Sequence, residues 1–152
     1  MPNVAPPWLR QQYPHLRPEE SRLLRHYIDE KGVENLRRLR TQVRVGEGEV
    51  VTSIGEPYRE LANDLSKWKI DAVLTYPGYT ELVELKSRIT HTATGQLTGY
   101  SNLLAKADGE PSEFRLTAVG FRSHPDLLEA FEDSPIRIHT IPKADRTVAS
   151  RD

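Results

Sequence analysis

The chain has 152 residues, of which 37% are hydrophobic and 28% are charged, and it contains no cysteine. This composition is typical of one globular domain with a polar surface, and it excludes disulfides and thiolate metal sites. The formal net charge of −1 argues against a strongly basic coat for nucleic acid. No apolar run approaches the roughly 18 residues that span a bilayer. The sequence therefore predicts a protein with no membrane partner, located in the cytoplasm, or in a virion if a phage encodes it.

Residues 1–17 contain four prolines and little hydrophobic periodicity, which predicts an extended arm rather than part of the core. Trp8 and Tyr13 give this arm apolar side chains for contact with its own domain or with a neighbouring subunit. Residues 144–152 are polar and predict a frayed tail. The folded domain is therefore predicted to cover residues 18–143.

Charge is unevenly distributed along the chain. Residues 1–45 contain nine lysines and arginines against five aspartates and glutamates, a net charge of +4. This region could contact phosphates, or its arginines could simply solvate helix faces. The sequence leaves both interpretations open.

Hydrophobic periodicity and turn residues predict an alternation of helices and strands. Pro18, Glu19 and Glu20 are typical of a helix start, and the turn Pro77-Gly78 joins two strands as a hairpin. In chain order the predicted elements are a helix at 18–31, a short helix at 33–39, a strand at 40–46, a short helix or ordered loop at 56–68, strands at 70–76 and 80–86, a helix at 93–106, a strand at 113–123, a helix at 125–133 and a strand at 136–142. A hairpin followed by strand–helix–strand crossovers predicts an α/β fold with a mixed central sheet flanked by helices.

Three charged residues interrupt the two hairpin strands: Asp71 lies in the first, and Glu84 and Lys86 lie in the second. Charged side chains are rarely buried unless they are paired or bind a metal. Because side chains alternate along a strand, Glu84 and Lys86 share one face, and pairing about Pro77-Gly78 places Asp71 opposite Glu84, with Cβ atoms about 5 Å apart. Opposed carboxylates repel, so the pattern predicts a hard divalent cation such as Mg²⁺ or Mn²⁺ between them. The alternative is a buried ion pair of Lys86 with either carboxylate, without catalysis.

The spacing of Asp71 from Glu84-Leu85-Lys86 resembles the D…(D/E)-x-K signature of the PD-(D/E)XK nuclease superfamily. Gln96 and Tyr100 match the Q-x-x-x-Y motif of its RecB-like branch, and their i,i+4 spacing places them on one helix face. The αβββαβ core of that superfamily, the restriction-endonuclease-like fold, also corresponds to the predicted order. The resemblance covers residues 18–142.

The resemblance implies a role for each of these residues. Asp71 and Glu84 would bind Mg²⁺ (or Mn²⁺), with the carbonyl oxygen of Leu85 as a further ligand. Lys86 would be the catalytic lysine beside them.

Further contacts would be made with DNA. By the resemblance, Gln96 and Tyr100 would orient a DNA phosphate or the site itself. Arg88, two residues beyond the signature, could contact a phosphate or be an ordinary exposed arginine.

The chain departs from the superfamily pattern in two ways. Ile70 stands where the signature has its proline, and the upstream histidine of many RecB-like nucleases has no convincing counterpart, since His15 lies in the arm and His26 on the basic helix. Many members also use a glutamate of the first helix as an extra metal ligand. Glu20 and Glu30 are the candidates here, although the sequence favours a solvated helix residue at each position.

Three other features are interpreted as structural. His91 is predicted to be a surface loop histidine, and Trp68 a residue at the edge of the core rather than a platform for base stacking. The segment "GEGE" at 46–49 has no following Lys-Ser/Thr, so it does not indicate a nucleotide site.

The leading hypothesis is a Mg²⁺-dependent deoxyribonuclease that binds DNA, alone or within a larger assembly that the arm contacts. The alternative is a non-catalytic or weakly catalytic assembly protein with a nuclease-like fold, such as a homo-oligomeric ring or a virion component. The near-neutral charge favours the assembly protein, and the complete set of Asp71, Glu84 and Lys86 favours the nuclease. A third hypothesis is an α/β domain that binds a small molecule or a protein and holds only a structural ion pair.

Overall fold

The structure, a computed structural model, describes residues 16–48, 55–60, 63, 67–108, 113–130, 132 and 134–141. The predicted tail, and the predicted arm except for Leu16 and Arg17, lie outside these residues. Residues 58–60 are helical, within the stretch 56–68 that was expected to be a short helix or an ordered loop. No helix in the described ranges is long and apolar enough to cross a lipid bilayer.

The elements follow the αβββαβ order, and a short helix and a fifth strand come after it, as the sequence predicts. They are α1 (Pro18–Lys31), β1 (Arg38–Val45), β2 (Trp68–Tyr76), β3 (Tyr79–Ile89), α2 (His91–Asp108), β4 (Phe114–Ser123), α3 (Leu127–Ala130) and β5 (Ile136–Thr140). Pro18 occupies the first turn of α1, and Gly32 ends the helix with a φ of 88°, a conformation that glycine adopts without strain.

Several predicted boundaries are wrong, because pairing within the sheet overrides local propensity. Residues 33–39 do not form a second helix: β1 begins at Arg38 and pairs with β2 from its first residue. Strand β3 continues past the predicted end at residue 86, because β4 pairs with it as far as Ile89↔Ser123. Helix α2 begins at His91, which therefore lies in a helix and not in a surface loop.

The five strands form one sheet in the order β1-β2-β3-β4-β5. The pairs β1/β2 and β2/β3 are antiparallel, whereas β3/β4 and β4/β5 are parallel. The helical crossover from β3 to β4 is what permits their parallel pairing. The predicted α/β fold with a mixed sheet is therefore confirmed.

Each face of the sheet buries a separate hydrophobic core. The α1-side core joins Leu23, Leu24 and Ile28 of α1 to sheet residues that include Leu74 and Val83. The α2-side core joins Leu97 and Leu104 of α2 to Val73, Leu82 and Leu116. On β3, Leu82 faces α2 while Val83 and Leu85 face α1, as the predicted alternation requires.

The side-chain alternation of β1 and that of β2 each shift from one face of the sheet to the other, and the two shifts lie at neighbouring positions of the two strands. Leu39 packs against the α1-side core and Val43 against the α2-side core, although residues four apart in a regular strand face the same side. Between them Gln42 has a φ of 52°, in the left-handed region that non-glycine residues rarely adopt. The β1/β2 register skips the position at which Gln42 would pair with Asp71. The irregularity therefore lies directly beside the charged residue that the sequence singles out.

Candidate active site

Strands β2 and β3 separate where their two carboxylates meet. The register predicted from the Pro77-Gly78 turn holds as far as Ala72↔Val83, the pair before Asp71 and Glu84. Beyond it, β2 continues beside β1 and β3 continues beside β4. We call this point of divergence, formed by Asp71, Glu84 and Leu85, the fork.

At the fork, the side chain of Asp71 takes the place of a backbone carbonyl as the hydrogen-bond acceptor for β3. The backbone N–H of Leu85 donates a hydrogen bond to Oδ2 of Asp71 at 2.9 Å. This bond satisfies a donor that the diverging strands would otherwise leave without a partner. It also fixes the Asp71 carboxylate beside Glu84, whose side chain is 2% exposed.

The electrostatics of the fork favour protonation of its carboxyl groups. Burial, and after it the negative charge of Asp71, raises the pKa of Glu84 to about 8, against a smaller opposing effect of Lys86. Burial likewise raises the pKa of Asp71, in spite of the Leu85 N–H, and the charge of Glu20 adds to this effect. Two like charges this close cost free energy unless a proton or a cation neutralises one of them. In the protein alone, the pair is therefore unfavourable when both groups are ionised.

Lys86 gives only partial compensation. Its Nζ lies 3.6 Å from Oε2 of Glu84, and its side chain is 41% exposed. The other carboxylate oxygen of Glu84, Oε1, is buried and has no hydrogen-bond partner among the described residues. Buried acceptors are nearly always satisfied in proteins, so this oxygen is one that a ligand could use.

Helix α2 brings both residues of the Q-x-x-x-Y match toward the fork side of the sheet. Tyr100 is buried, and the pKa of its hydroxyl is raised first by burial and then by the charges of Glu84 and Asp71. Gln96 is half-buried, and its carbonyl oxygen is buried without a hydrogen-bond partner in the described ranges. Tyr100 is thus within electrostatic reach of both fork carboxylates.

The two first-helix glutamates differ in position. The charge of Glu20 acts on Asp71, and the adjacent Glu19 accepts a hydrogen bond of 2.6 Å from Ser87 Oγ on β3. The start of α1 is therefore held near the fork. Glu30 is instead hydrogen-bonded to His139 on β5, with 2.6 Å between Oε2 and Nε2. Of the two, Glu20 is the one whose charge acts on the fork.

Arg88 lies away from the carboxylates. It is exposed and lines a cavity of about 430 Å³ together with His91 and His124.

The oxygen atoms at the fork fit a hard divalent cation. They comprise the partnerless Oε1 of Glu84, the carboxylate of Asp71 and the nearby main chain of Leu85. Among the residues that the structure describes, no group of three His, Cys, Asp or Glu side chains could hold one metal ion. Mg²⁺ keeps several waters and is commonly bound by one or two carboxylates, so two suffice for it.

Sequence reasoning missed a second buried carboxylate, Glu81, which lies on the opposite face of β3 and is 0% exposed. Its Oε2 accepts hydrogen bonds from the hydroxyls of Tyr27 and Thr117, the latter at 2.6 Å. Its Oε1 accepts one from Lys31 Nζ at 2.7 Å. The alternation of "YTELVELK" would have placed Glu81 with Val83 and Leu85 on the inward α1 face, which is the signal that could have revealed it.

Trp68 lies at the edge of the α2-side core, as expected, but it is more exposed than most residues of its size. It is one of three large hydrophobic side chains in the described ranges that are notably exposed, at 54%. Its ring meets that of Tyr100 edge-on, with centroids 5.9 Å apart.

Comparisons with known proteins give two structural neighbours. No protein-family model matches the chain, and no curated protein matches it significantly. A solved structure of an EndoMS–dsDNA2 complex has a TM-score of 0.45 and 15% identity, and the match covers 87% of this chain and 48% of that one. A repair endonuclease from Pyrococcus abyssi has a TM-score of 0.45 and 14% identity, over 87% of this chain and 49% of that one. The chain thus spans about half the length of each neighbour. With TM-scores this low, the fold assignment rests on the strand order and pairing of the chain itself.

Proposed function

We propose that the chain is a metal-dependent nuclease that hydrolyses DNA phosphodiester bonds at the fork. The observation that carries this proposal is the buried carboxylate of Glu84 beside the half-buried carboxylate of Asp71, with a partnerless oxygen on Glu84 and the Lys86 ammonium next to it. A purely structural ion pair would satisfy both carboxylate oxygens, whereas a site built for a ligand leaves one of them open.

Asp71, Glu84 and the carbonyl of Leu85 would hold Mg²⁺, or Mn²⁺, with waters completing the coordination. A bound ion of this type activates a water and neutralises charge on the phosphoryl oxygens. The carboxylates themselves hold the ion in place and keep the reacting phosphate close to the Lys86 side.

The remaining side chains act on the substrate. Lys86 donates hydrogen bonds to a phosphoryl oxygen and stabilises the negative charge that develops there as water adds to phosphorus and the leaving oxygen departs. Gln96 and Tyr100 orient the phosphate from α2. Arg88 contacts a phosphate further along the strand, where its charge strengthens binding without affecting the chemistry.

The second candidate is the non-catalytic assembly protein, which the net charge of −1 favours, because free nucleases usually need a basic track. Contact of the arm with a larger assembly, homo-oligomerisation and the cytoplasmic or virion location stay predictions, since the arm lies almost wholly outside the described residues.

The test is cleavage of linear, nicked, branched and single-stranded DNA with Mg²⁺, Mn²⁺ or EDTA. Wild type should cut at least one substrate with either metal and none with EDTA, and the variant Lys86→Ala should be inactive. Glu129→Gln in α3 is a matched control, because it removes an exposed carboxylate away from the fork and should leave activity unchanged. If no substrate is cut and no divalent ion binds with micromolar to millimolar affinity, the nuclease proposal fails and the assembly protein becomes the better explanation.

A further inference from the structure

The partly exposed ring of Trp68 packs against one position of helix α2, Gly99. A Cβ atom added at Gly99 would lie 2.7 Å from Cζ3 of Trp68, closer than real Cβ contacts come. The absence of a side chain at Gly99 therefore allows the indole to lie against the helix. One side of the ring is held there and by Tyr100, while 54% of the residue stays in contact with solvent. Exposure of a large aromatic ring held in this way costs hydration free energy that a ligand could recover.

Trp68 forms one wall of a groove between the end of β1 and helix α2. The groove has a volume of about 490 Å³, which lies within the range of small-molecule sites. Val45 and Leu103 supply apolar surface, Glu47 and Asn102 supply polar groups, and Lys67 lies at the rim beside Trp68. A flat, neutral ring with polar edges matches this lining, since it can stack on the indole and bond to Asn102 or Glu47. A phosphate does not match, because the groove contains the carboxylate of Glu47.

The groove and the fork lie at neighbouring positions along β2. Trp68 lies on β2 three residues before Asp71, about 10 Å along the strand. Tyr100 links the two places, since its ring contacts Trp68 and its hydroxyl lies in the electrostatic field of the fork carboxylates. A nucleotide whose phosphate is held at the fork therefore has a neighbour on the same strand that can reach Trp68.

One positive charge lies in the lining of the groove. Lys67 precedes Trp68 in the sequence and lines the groove with it, so its ammonium can meet a phosphate that flanks the bound base. Lys69 and Arg44, which pair in the sheet register, project from the opposite face of the sheet, because their neighbours Ile70, Val43 and Val45 pack on the α2 side.

We infer that the groove binds an unpaired base of single-stranded DNA, stacked on Trp68, and so makes the chain prefer single-stranded substrates or unpaired ends over intact duplex. This inference rests on the proposed nuclease function for the place of the scissile phosphate. A base within a duplex is stacked on its neighbours and cannot enter the groove, which is the source of the preference.

The experiment measures DNA binding in EDTA, so that it does not depend on the metal site. A Trp8→Phe background leaves Trp68 as the chain's one tryptophan, whose fluorescence reports stacking directly. The probes are a single-stranded oligothymidylate, an abasic oligomer with the same number of phosphates, and a blunt duplex. We expect the oligothymidylate to quench Trp68 and to bind about tenfold more tightly than the abasic oligomer.

Two variants test the same contact in different ways. Trp68→Leu removes the aromatic ring, and Gly99→Ala displaces it while adding a residue that helices favour, so the second variant keeps its fold. Both should lose about tenfold in affinity for the oligothymidylate and little for the duplex, and Trp68→Tyr should restore most of the loss. Leu128→Ala, which alters a side chain of similar exposure on α3, is the matched control and should change nothing.

The inference is overturned if the oligothymidylate and the abasic oligomer bind equally, or if Trp68→Leu weakens single-stranded and duplex binding alike. Its failure is distinct from failure of the proposed function. If cleavage requires Lys86 but does not change in the Trp68 variants on any substrate, the base-binding site is rejected and the nuclease proposal still holds. Stacking on Trp68 without any cleavage would support the base site and count against the nuclease.

Discussion

Glu81 and Glu84 lie three residues apart on β3, and both side chains are almost completely buried, yet they face opposite sides of the sheet. Glu81 is surrounded by donors: the hydroxyls of Tyr27 and Thr117 and the ammonium of Lys31. Lys31 is itself held over the ring of Tyr76, with Nζ 4.4 Å from the centroid. The negative charge of Glu81 is therefore matched by a positive charge and two hydroxyls.

Glu84 lies in a contrasting environment. Its nearest charged neighbours are another carboxylate, Asp71, and the partly exposed Lys86, and one of its oxygens has no partner in the described part of the chain. Burial in both places is similar, so burial alone does not distinguish a structural carboxylate from a functional one. The distinction lies in whether the protein satisfies the carboxylate itself or leaves it for a ligand.

The largest expected difference between the two carboxylates is in catalysis. Glu84→Gln should lower the rate of Mg²⁺-dependent DNA cleavage by more than about a hundredfold, the upper range for residues that only support a metal ligand. Glu81→Gln should retain cleavage within about threefold at a temperature where it is folded, because no atom of Glu81 faces the fork. Initial rates on an oligonucleotide, normalised to the folded fraction, decide this. Equal losses in the two variants would contradict the separation of roles.

Stability should respond in the opposite order. Glu81→Gln leaves the largely buried ammonium of Lys31 without its counter-charge, and breaking a pair of this kind costs about 3 kcal/mol. For a domain of this size that loss lowers Tm by roughly 8 °C. Glu84→Gln should not destabilise the metal-free protein at pH 8, because it removes a repelling charge. Urea denaturation monitored by circular dichroism compares the two, and Glu81→Gln combined with Lys31→Met should recover part of the loss.

Much of the comparison could be predicted from sequence, because it depends on local pattern. The Pro77-Gly78 turn fixed the hairpin register, and that register predicted which residues meet at the end of β2 and β3. Alternation then placed Glu84 and Lys86 on one face. Charged residues in an apolar strand are costly enough that their presence is informative by itself.

What sequence could not predict depends on tertiary contacts. The fork arises because β2 stays paired with β1 while β3 stays paired with β4, so that β2 and β3 separate. No local sequence pattern predicts this separation or the left-handed conformation of Gln42. The packing of Trp68 against α2 depends on a glycine 31 positions away on another element. The separation of Glu20 from Glu30 likewise depends on which strand residues α1 meets, Ser87 at one end and His139 at the other.

The pH dependence of stability gives a smaller but more specific contrast. The folded-state pKa of Glu84 is raised to about 8, above the unfolded value near 4.3, because burial and Asp71 oppose its ionisation. A group raised in this way contributes stability at low pH, and that contribution is lost as pH rises from about 5 through 8. In EDTA we expect wild type to lose on the order of 2 kcal/mol between pH 5.5 and 8.5.

Denaturant titrations at several pH values measure this loss, and two comparisons isolate its source. Glu84→Gln should show a much shallower decline, because its side chain does not titrate. Addition of Mg²⁺ to wild type at pH 8.5 should restore stability, because the ion binds the ionised carboxylates only in the folded state. Parallel pH profiles for wild type and Glu84→Gln would show that the decline originates elsewhere.

The smallest expected difference concerns single uncharged partners of the two carboxylates. Thr117→Val keeps the shape of the side chain but removes the hydroxyl that donates to Glu81, and should cost about 1 kcal/mol of unfolding free energy. Gln96→Met on the fork side removes a buried carbonyl oxygen that has no partner in the described ranges, and should change stability by less than about 0.5 kcal/mol. The activities should reverse this order, with Gln96→Met lowering cleavage and Thr117→Val leaving it unchanged. A stability loss for Gln96→Met as large as that for Thr117→Val would mean that the fork side is held together in the same way as the Glu81 side, and that the partnerless oxygens do not mark a ligand site.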